Sequence, residues 1–275
     1  MESPALDDAL TVFAATAPSY GRLGLANHGP MAAEALSHLG RDDAIAAWVE
    51  RYRSRLDPAP AAADTPPRRL EVAIGLAFWA STYRELPGPP LLIGHQGVPE
   101  ALADLPYLPE DAPGQLLISD MVAEVDAIAD EFEQGVASLG WTGGPVELLD
   151  RLASGGALAY LRNADEGGAI GLLHAVTSPL ACDLVLPWLG GEDRDAALGY
   201  VWQAAAALHV AYDVDRSTPI PDDAEPSADG LVDRALESGD EHAIKLTEAA
   251  LRSYARSGDP VLLLAAADAC TRLSG

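Results

Sequence analysis

The sequence predicts an all-α protein in which helical hairpins pack around one core. Apolar residues recur at spacings of three and four along almost the whole chain, which is the period of one helix face. Alternating runs typical of strands are absent. Hydrophobic residues make up 49% of the 275 residues, enough to bury a substantial core. We therefore expect a single helical domain over residues 1–275, without an internal repeat.

The first part of the chain is predicted to hold three helices and a linker. A helix over residues 5–16 precedes a loop at 18–29, and Pro30 suits the first position of the next helix, at 31–39. Asp42 or Asp43 caps a third helix at 44–56, which carries Ile45, Trp48, Val49 and Tyr52 on one face. The Pro- and Ala-rich segment at 57–67 then prevents further helix.

The rest of the chain is predicted as helices between two Pro-rich loops. The loops lie at 87–113, with one short helix near 99–105, and at 213–226. Helices are expected over residues 67–84, 117–139, 145–163, 167–187, 192–212, 228–256 and 259–272. We expect Pro179 to interrupt the helix at 167–187 and Gly239 to break the one at 228–256.

Charge and cysteine usage indicate a soluble cytoplasmic protein. A net charge of −25 argues against nucleic acid or an anionic membrane as a partner, because both attract basic surfaces. Cys182 and Cys270 lie in apolar helical contexts without a CxxC pair, as expected for reduced, buried thiols. The N-terminus shows no signal-peptide pattern, and no apolar run approaches the length of a membrane span.

Lys245 is the only lysine among 17 lysine and arginine residues. A buried lysine can lose its proton and act as a base, nucleophile or ligand, whereas arginine stays protonated. His242 lies three residues earlier, so the two side chains share one face of a helix. The alternative interpretation is a surface lysine retained by chance.

The six histidines are scattered, and no zinc, P-loop, dinucleotide or nucleophile-elbow motif is present. His28 stands between Asn27 and a Gly-Pro pair, where a rigid helix start suits either a ligand or a bond to its own loop. His174 lies on a very apolar helix, either as a ligand or as a satisfied core residue. His38 and His209 are interpreted as helix-face residues and His95 as a loop residue.

Several segments resemble the questin oxidase-like family, in the family's order and over most of the chain. The most specific are Asn-His-Gly-Pro at the start of 27–36 and Glu-His-Ala-Ile-Lys within 239–249. The other segments are residues 48–52, 77–83, 86–88, 174–179 and 202–204.

The resemblance implies a helical oxidoreductase that opens polycyclic aromatic, anthraquinone-type polyketide substrates. In one branch of the family a non-haem iron dioxygenase holds its metal with several histidines and a lysine carboxylated on its side-chain nitrogen. Carried over to this chain, the metal ligands are His28, His174, His242 and Lys245, with His242 and Lys245 central to catalysis. Fe²⁺ is the implied metal, and O₂ and a small aromatic molecule are the implied partners.

One departure from the family leaves the function open. Its His-Gly-Leu/Val-Ile-Arg-x-x-His-Ala segment is replaced here by the linker at 57–67. The chain is then either an oxygenase with more open metal positions, or a catalytically degenerate relative that binds an aromatic ligand or a partner. A metal-free oxidase that uses NADPH is a further alternative. In the oxygenase interpretation, His38 or His209 would substitute for the histidine ligands of the missing segment. Three tryptophans are expected either to line a substrate pocket or to belong to the core: Trp48, Trp79 and Trp202.

Overall fold

The computed structural model describes residues 3–58, 83–109, 117–164, 168–217, 219–220 and 226–274. These residues form helices and one two-stranded sheet, which confirms the all-α prediction. The α-helices, numbered here in chain order, are α1 (Pro4–Phe13), α2 (Gly29–His38), α3 (Asp42–Arg53), α4 (Val98–Ala103), α5 (Ile118–Ala123), α6 (Ala129–Ser138), α7 (Pro145–Asn163), α8 (Ala169–Val185), α9 (Gly191–Tyr212), α10 (Ala228–Ser238), α11 (Glu241–Ser257) and α12 (Pro260–Arg272).

The chain forms two compact units. The first comprises Met1–Arg84, Val232–Glu248 and Cys270–Gly275, and the second comprises Glu85–Leu231 and Ala249–Ala269. The boundary falls inside α10, α11 and α12, so each of these helices contributes residues to both units. A single domain over residues 1–275 stays a prediction.

The core of the first unit is built on the predicted apolar face of α3. All four residues of that face are buried, and Trp48 stacks on Tyr52 with ring centroids 4.8 Å apart. Phe13 meets both rings edge to face. The core is completed by Ala9, Ala32, Ala33, Ala35, Leu36, Ala235, Ala243, Ile244 and Cys270. Trp48 is therefore a core residue.

The predicted loop at 18–29 contains a short hairpin that the sequence analysis missed. Strand β1 (Ser19–Tyr20) pairs antiparallel with β2 (Leu25–Ala26), with Ser19 opposite Ala26. Gly21 and Gly24 have φ values of 70° and 66°, a left-handed conformation that glycine adopts without steric cost. Two-residue strands are too short for alternation to show in the sequence.

Helices α7 and α8 pack closely in the second unit. Gly156 permits this, because a Cβ there would lie 2.7 Å from the backbone of Ala175. The predicted interruption at Pro179 is wrong, since α8 continues through it to Val185. Tertiary packing of the buried neighbours Val176 and Leu180 compensates for the backbone hydrogen bond that proline cannot donate.

The predicted single helix at 117–139 is also wrong. The chain instead forms α5, a 3₁₀ segment at Glu124–Ile128, and α6. Carboxylates at i and i+4 repel one another along this stretch, as in Asp120 with Glu124 and Asp126 with Asp130, and favour a locally different pitch. The break predicted at Gly239 is confirmed: α10 ends at Ser238, α11 begins at Glu241, and Gly239 has a φ of 66°.

Other predictions fall partly outside the described residues. The helix at 67–84, Trp79 and most of the linker at 57–67 lie there. Trp202 is fully buried in the second unit. Within the described part of the chain, the stretch Ala169–Trp188 is long and apolar enough to cross a membrane, but only by length and composition. The core helix of a soluble protein meets the same criteria, and this stretch includes the buried Leu172 and Leu173.

Candidate metal centre

His28 and His242 lie side by side in the first unit, although they come from opposite ends of the chain. Their ring centroids are 4.9 Å apart, and the rings are nearly perpendicular, at 88°. A ring nitrogen of each lies within 4.8 Å of the other. Both side chains are partly exposed, so this pair of imidazoles is accessible from solvent.

The loop before α2 fixes His28 from several directions. Its backbone N–H donates to Tyr52 Oη at 3.1 Å. The side chain of Asn27 accepts from the Gly29 N–H at 3.0 Å and donates to Thr16 Oγ1 at 2.9 Å. Gly29 is required because a Cβ there would collide with the ring of Phe13. The Asn-His-Gly sequence therefore encodes a backbone that presents the imidazole at the start of a helix.

His242 occupies the first turn of α11, where Asp240 is the N-cap. Asp240 Oδ1 accepts from the backbone N–H groups of His242 at 2.8 Å and Ala243 at 3.4 Å. The same oxygen lies 3.4 Å from His242 Nδ1. The Asp240 carboxylate thus caps the start of α11 and also faces the imidazole of His242. Oxygen atoms of Asp240 and Glu241 and a nitrogen of His242 form a second group of donors within 4.8 Å of one another.

The charge of Asp240 is favoured by its surroundings. Burial raises the pKa of this carboxyl, but the hydrogen bond and charge of His242 and the backbone N–H groups of His242 and Ala243 outweigh it, so the pKa is lowered. An ionised Asp240 favours a proton on Nδ1 of His242, which makes Nε2 the acceptor nitrogen of the neutral ring. This is the tautomer that carboxylate–histidine pairs present to metal ions.

Lys245 is buried one helical turn beyond His242, with only 6% of its surface exposed. Burial lowers the pKa of its amine to about 8, although the negative charges of Glu241 and Asp240 act in the opposite direction. The interpretation of Lys245 as a surface lysine is therefore wrong. A neutral amine becomes accessible only slightly above physiological pH, whereas an arginine at this position would stay charged.

One face of α3 holds the segments that carry both histidines. Trp48 Nε1 donates to the Gly239 carbonyl at 3.1 Å, just before α11 begins. Tyr52 accepts from the His28 amide, as described above. Arg55 donates from Nη1 to Oε2 of Glu241 at 3.1 Å and from Nη2 to Oε1 at 3.4 Å. Trp48 and Tyr52 are one turn apart on α3, and Arg55 follows in the turn after its last residue, so the three side chains together contact both segments.

His174, the remaining predicted ligand, lies on α8 in the second unit. Its Nδ1 is 2.7 Å from the carbonyl oxygen of Ile170, one turn earlier. A protonated Nδ1 donates this bond and leaves Nε2 as a potential ligand atom. The side chain is only partly buried, so His174 is not a fully enclosed core residue.

The other histidines occupy different environments. His38 is half-exposed, with Nδ1 3.3 Å from Glu34 and 3.5 Å from Glu248. His95 is exposed in a loop of the second unit. His209 was predicted as an unremarkable helix-face residue, yet it is buried beside Asp213. The spacing of four residues between them was the sequence signal for this pair.

No protein-family model matches the chain, and neither a curated protein nor a solved structure matches it. The resemblance to the questin oxidase-like family stays a prediction.

Proposed function

We propose that the protein is a metal-dependent oxidoreductase that resembles questin oxidase and uses O₂ to cleave a polycyclic aromatic, anthraquinone-type substrate. The observation that supports this most directly is the pairing of His28 with His242, with the only lysine of the chain buried one turn away. The sequence resemblance supplies the substrate class and the type of reaction.

The donors of the pair fit a divalent transition metal. Two nitrogens that bind one ion at ~2.1 Å are at most ~4.2 Å apart. The ring nitrogens of His28 and His242 lie within 4.8 Å, so small side-chain rotations suffice. Imidazole suits iron, and Asp240 orients His242 in the manner of an outer-sphere carboxylate. His174 is included as a third ligand on the basis of the resemblance alone.

Lys245 contributes a neutral amine under mildly basic conditions. In the carboxylation that the resemblance implies, the amine nitrogen forms a bond to the carbon of CO₂ and releases one proton, which yields a carbamate oxygen donor. The buried position of Lys245 supports this role, because burial favours the neutral amine that reacts. Glu241 is committed to Arg55, so it is less available as a ligand than the carbamate.

Bound iron supplies the binding and activation of O₂, which organic side chains do not provide. The residues of the chain position the centre. Asp240 holds the tautomer of His242, Tyr52 holds the backbone of His28, and Trp48 holds the turn before α11. The partial exposure of both imidazoles leaves room for a substrate to approach.

The first experiment is elemental analysis of protein purified without chelator or affinity metal. We expect near-stoichiometric iron in the unmodified protein, loss in His28→Ala and His242→Ala, and loss in both Lys245→Arg and Lys245→Met. The matched control is His95→Ala, which removes an exposed imidazole and leaves the iron content unchanged. His174→Ala tests the third ligand, and circular dichroism checks that each variant is folded.

The outcome also separates the alternatives. No metal in the unmodified protein would contradict the proposal. If such metal-free protein oxidised NADPH in the presence of a quinone, the nicotinamide-dependent oxidase would replace it. If it bound an aromatic ligand without turnover, the protein would be a catalytically degenerate relative. A cytoplasmic location is part of the same proposal, and fractionation of cells that express the protein tests it.

A further inference from the structure

The second unit contains a cavity of about 850 Å³ that the proposed metal chemistry does not use. Its volume is in the range of sites that bind small organic molecules. Apolar side chains from several elements form much of its wall: Val98, Leu102, Val146, Leu158, Ile220 and Val261. A cavity with such a wall favours a ligand with an apolar body.

His209 lines this cavity and forms a buried pair with Asp213. The two residues are 2% and 5% exposed, and Nδ1 lies 3.2 Å from Asp213 Oδ2. Asp213 is anchored on its other side by Asn163, whose Nδ2 donates to Oδ1 at 2.8 Å. Arg216 Nε lies 3.4 Å from Oδ2. An amide, an imidazole and a guanidinium thus surround the carboxylate.

In a neutral His209 ring, this arrangement favours the proton on Nδ1. With Nδ1–H donating to the Asp213 carboxylate, Nε2 of the neutral ring is an acceptor. Within the described part of the chain, Nε2 has no hydrogen-bond partner and almost no exposed surface, so a ligand in the cavity reaches it only by displacing part of the wall around the ring. A buried acceptor without a partner is unfavourable, so a donor supplied by a ligand would be stabilising.

The charges around the cavity favour an uncharged ligand. Four arginines and four carboxylates line it, so their formal charges cancel. Several are engaged with each other: Arg151 donates to Glu147, and Arg256 donates to Asp150. Arg216 also donates to the backbone carbonyls of Ala103 and Leu105. A charged ligand would have to replace partners that are already present.

We propose that this cavity binds a small, uncharged, mostly apolar molecule whose hydroxyl or N–H group donates to Nε2 of His209. Asp213 acts as the positioning residue that keeps this nitrogen an acceptor. The site is independent of the proposed metal centre, because none of its residues is a metal-ligand candidate of that proposal.

A matched pair of probes tests the hydrogen bond. Indole and 1-methylindole have nearly the same apolar body, but only indole has an N–H donor. Titration of metal-free protein, followed by NMR, is expected to show roughly tenfold tighter binding of indole. Indole is also expected to shift the ¹⁵N resonance of His209 Nε2, whereas 1-methylindole leaves it nearly unchanged.

Two variants separate the hydrogen bond from the cavity. His209→Leu keeps an apolar wall, so we expect both probes to bind with equal affinity. Ser154→Trp places a bulky ring in the cavity wall at a position outside the His209–Asp213 pair, so we expect both probes to lose affinity. If His209→Leu does not fold, the ¹⁵N shift and Ser154→Trp still decide the matter.

Three results would overturn the proposal. These are absence of binding by either probe, equal affinity of both probes for the unmodified protein, and a preference for indole that persists in folded His209→Leu. Because the measurement uses metal-free protein, its failure leaves the metal centre untouched, and failure of the metal centre leaves this test intact.

Discussion

The two units each pair a histidine with an aspartate through Nδ1, but in opposite settings. In the first unit, His242 and Asp240 are two residues apart at the start of α11, and the Nδ1–Oδ1 distance is 3.4 Å. In the second unit, His209 and Asp213 are four residues apart at the end of α9, and the Nδ1–Oδ2 distance is 3.2 Å. The His242 side chain is 14% exposed and that of His209 is 2% exposed.

The difference shows how the surroundings assign different chemistry to the same two residue types. His242 has a second imidazole beside it, and two neighbouring imidazoles are a donor set of the kind that suits a transition-metal ion. His209 lies at a cavity whose wall combines apolar side chains with equal numbers of arginines and carboxylates, and we propose that its Nε2 accepts one hydrogen bond from a neutral molecule there. Local sequence spacing alone does not distinguish these outcomes.

The largest expected effect concerns the two carboxylates of this comparison. Asp213→Asn leaves Arg216 buried without its ionic partner, so we expect a loss of about 3 kcal/mol in the free energy of unfolding. Asp240→Asn should cost less than about 1 kcal/mol, because asparagine is also a good N-cap. Urea denaturation measures both. Equal losses would show that the two pairs do not differ in burial and charge as described.

The buried amine of Lys245, one turn beyond His242, should make the stability of the protein depend on pH. The pKa of Lys245 falls from 10.5 in the unfolded chain to about 8 in the folded protein, so the unfolded state binds more protons between these values. Stability should therefore rise with pH from about 8 to about 10.5, by up to about 3 kcal/mol for this group.

Lys245→Met removes this dependence and is expected to stabilise the metal-free protein below pH 8, where the buried charge is costly. Denaturant titrations of both proteins across this pH range, in buffer depleted of CO₂, measure the difference. A constant stability difference between them would show that the Lys245 amine is not desolvated.

The capping role of Asp240 can be separated from its charge. Asp240→Ala should cost about 1 kcal/mol of stability, since two backbone N–H groups at the start of α11 lose their acceptor. Asp240→Asn should keep most of that stability. It should, however, weaken the binding of Co²⁺, a probe ion for the proposed metal centre, about tenfold, because a neutral amide orients His242 less strongly. Unchanged Co²⁺ affinity in both variants would contradict the orienting role.

The smallest effect concerns Trp48 on α3, which donates a hydrogen bond to the turn before α11. Trp48→Phe removes the bond to the Gly239 carbonyl, and we expect a loss of about 1 kcal/mol and a several-fold fall in Co²⁺ affinity. The matched control is Trp202→Phe in the second unit, which removes a similar bond from a buried indole to the Val136 carbonyl. It should cost similar stability without changing Co²⁺ affinity.

Much of the fold follows from the sequence, because hydrophobic period and helix-breaking residues act locally. The break at Gly239 was predictable, since one glycine in a left-handed conformation ends α10. The passage of α8 through Pro179 was not, because packing within the unit compensates for the missing donor. The hairpin formed by β1 and β2 was too short to leave a periodic signal.

The candidate site was only partly predictable, for the same reason. The shared face of His242 and Lys245 follows from helical spacing, but the proximity of His28 depends on contacts between distant segments. Periodicity carries no information about such contacts, so the residues around His28 left it as either a ligand or a loop residue, and only the resemblance grouped it with His242. His209 was overlooked because its importance lies in burial and in Asp213, although their spacing was visible in the sequence.

The bond between Trp48 and the Gly239 carbonyl gives the protein an internal optical probe. The indole is enclosed and tied to the turn that precedes His242, whereas Trp188 is 85% exposed. A paramagnetic ion at the histidine pair should quench Trp48 emission, and a water-soluble quencher should remove Trp188 emission first. Fluorescence of the unlabelled protein can therefore report occupation of the site.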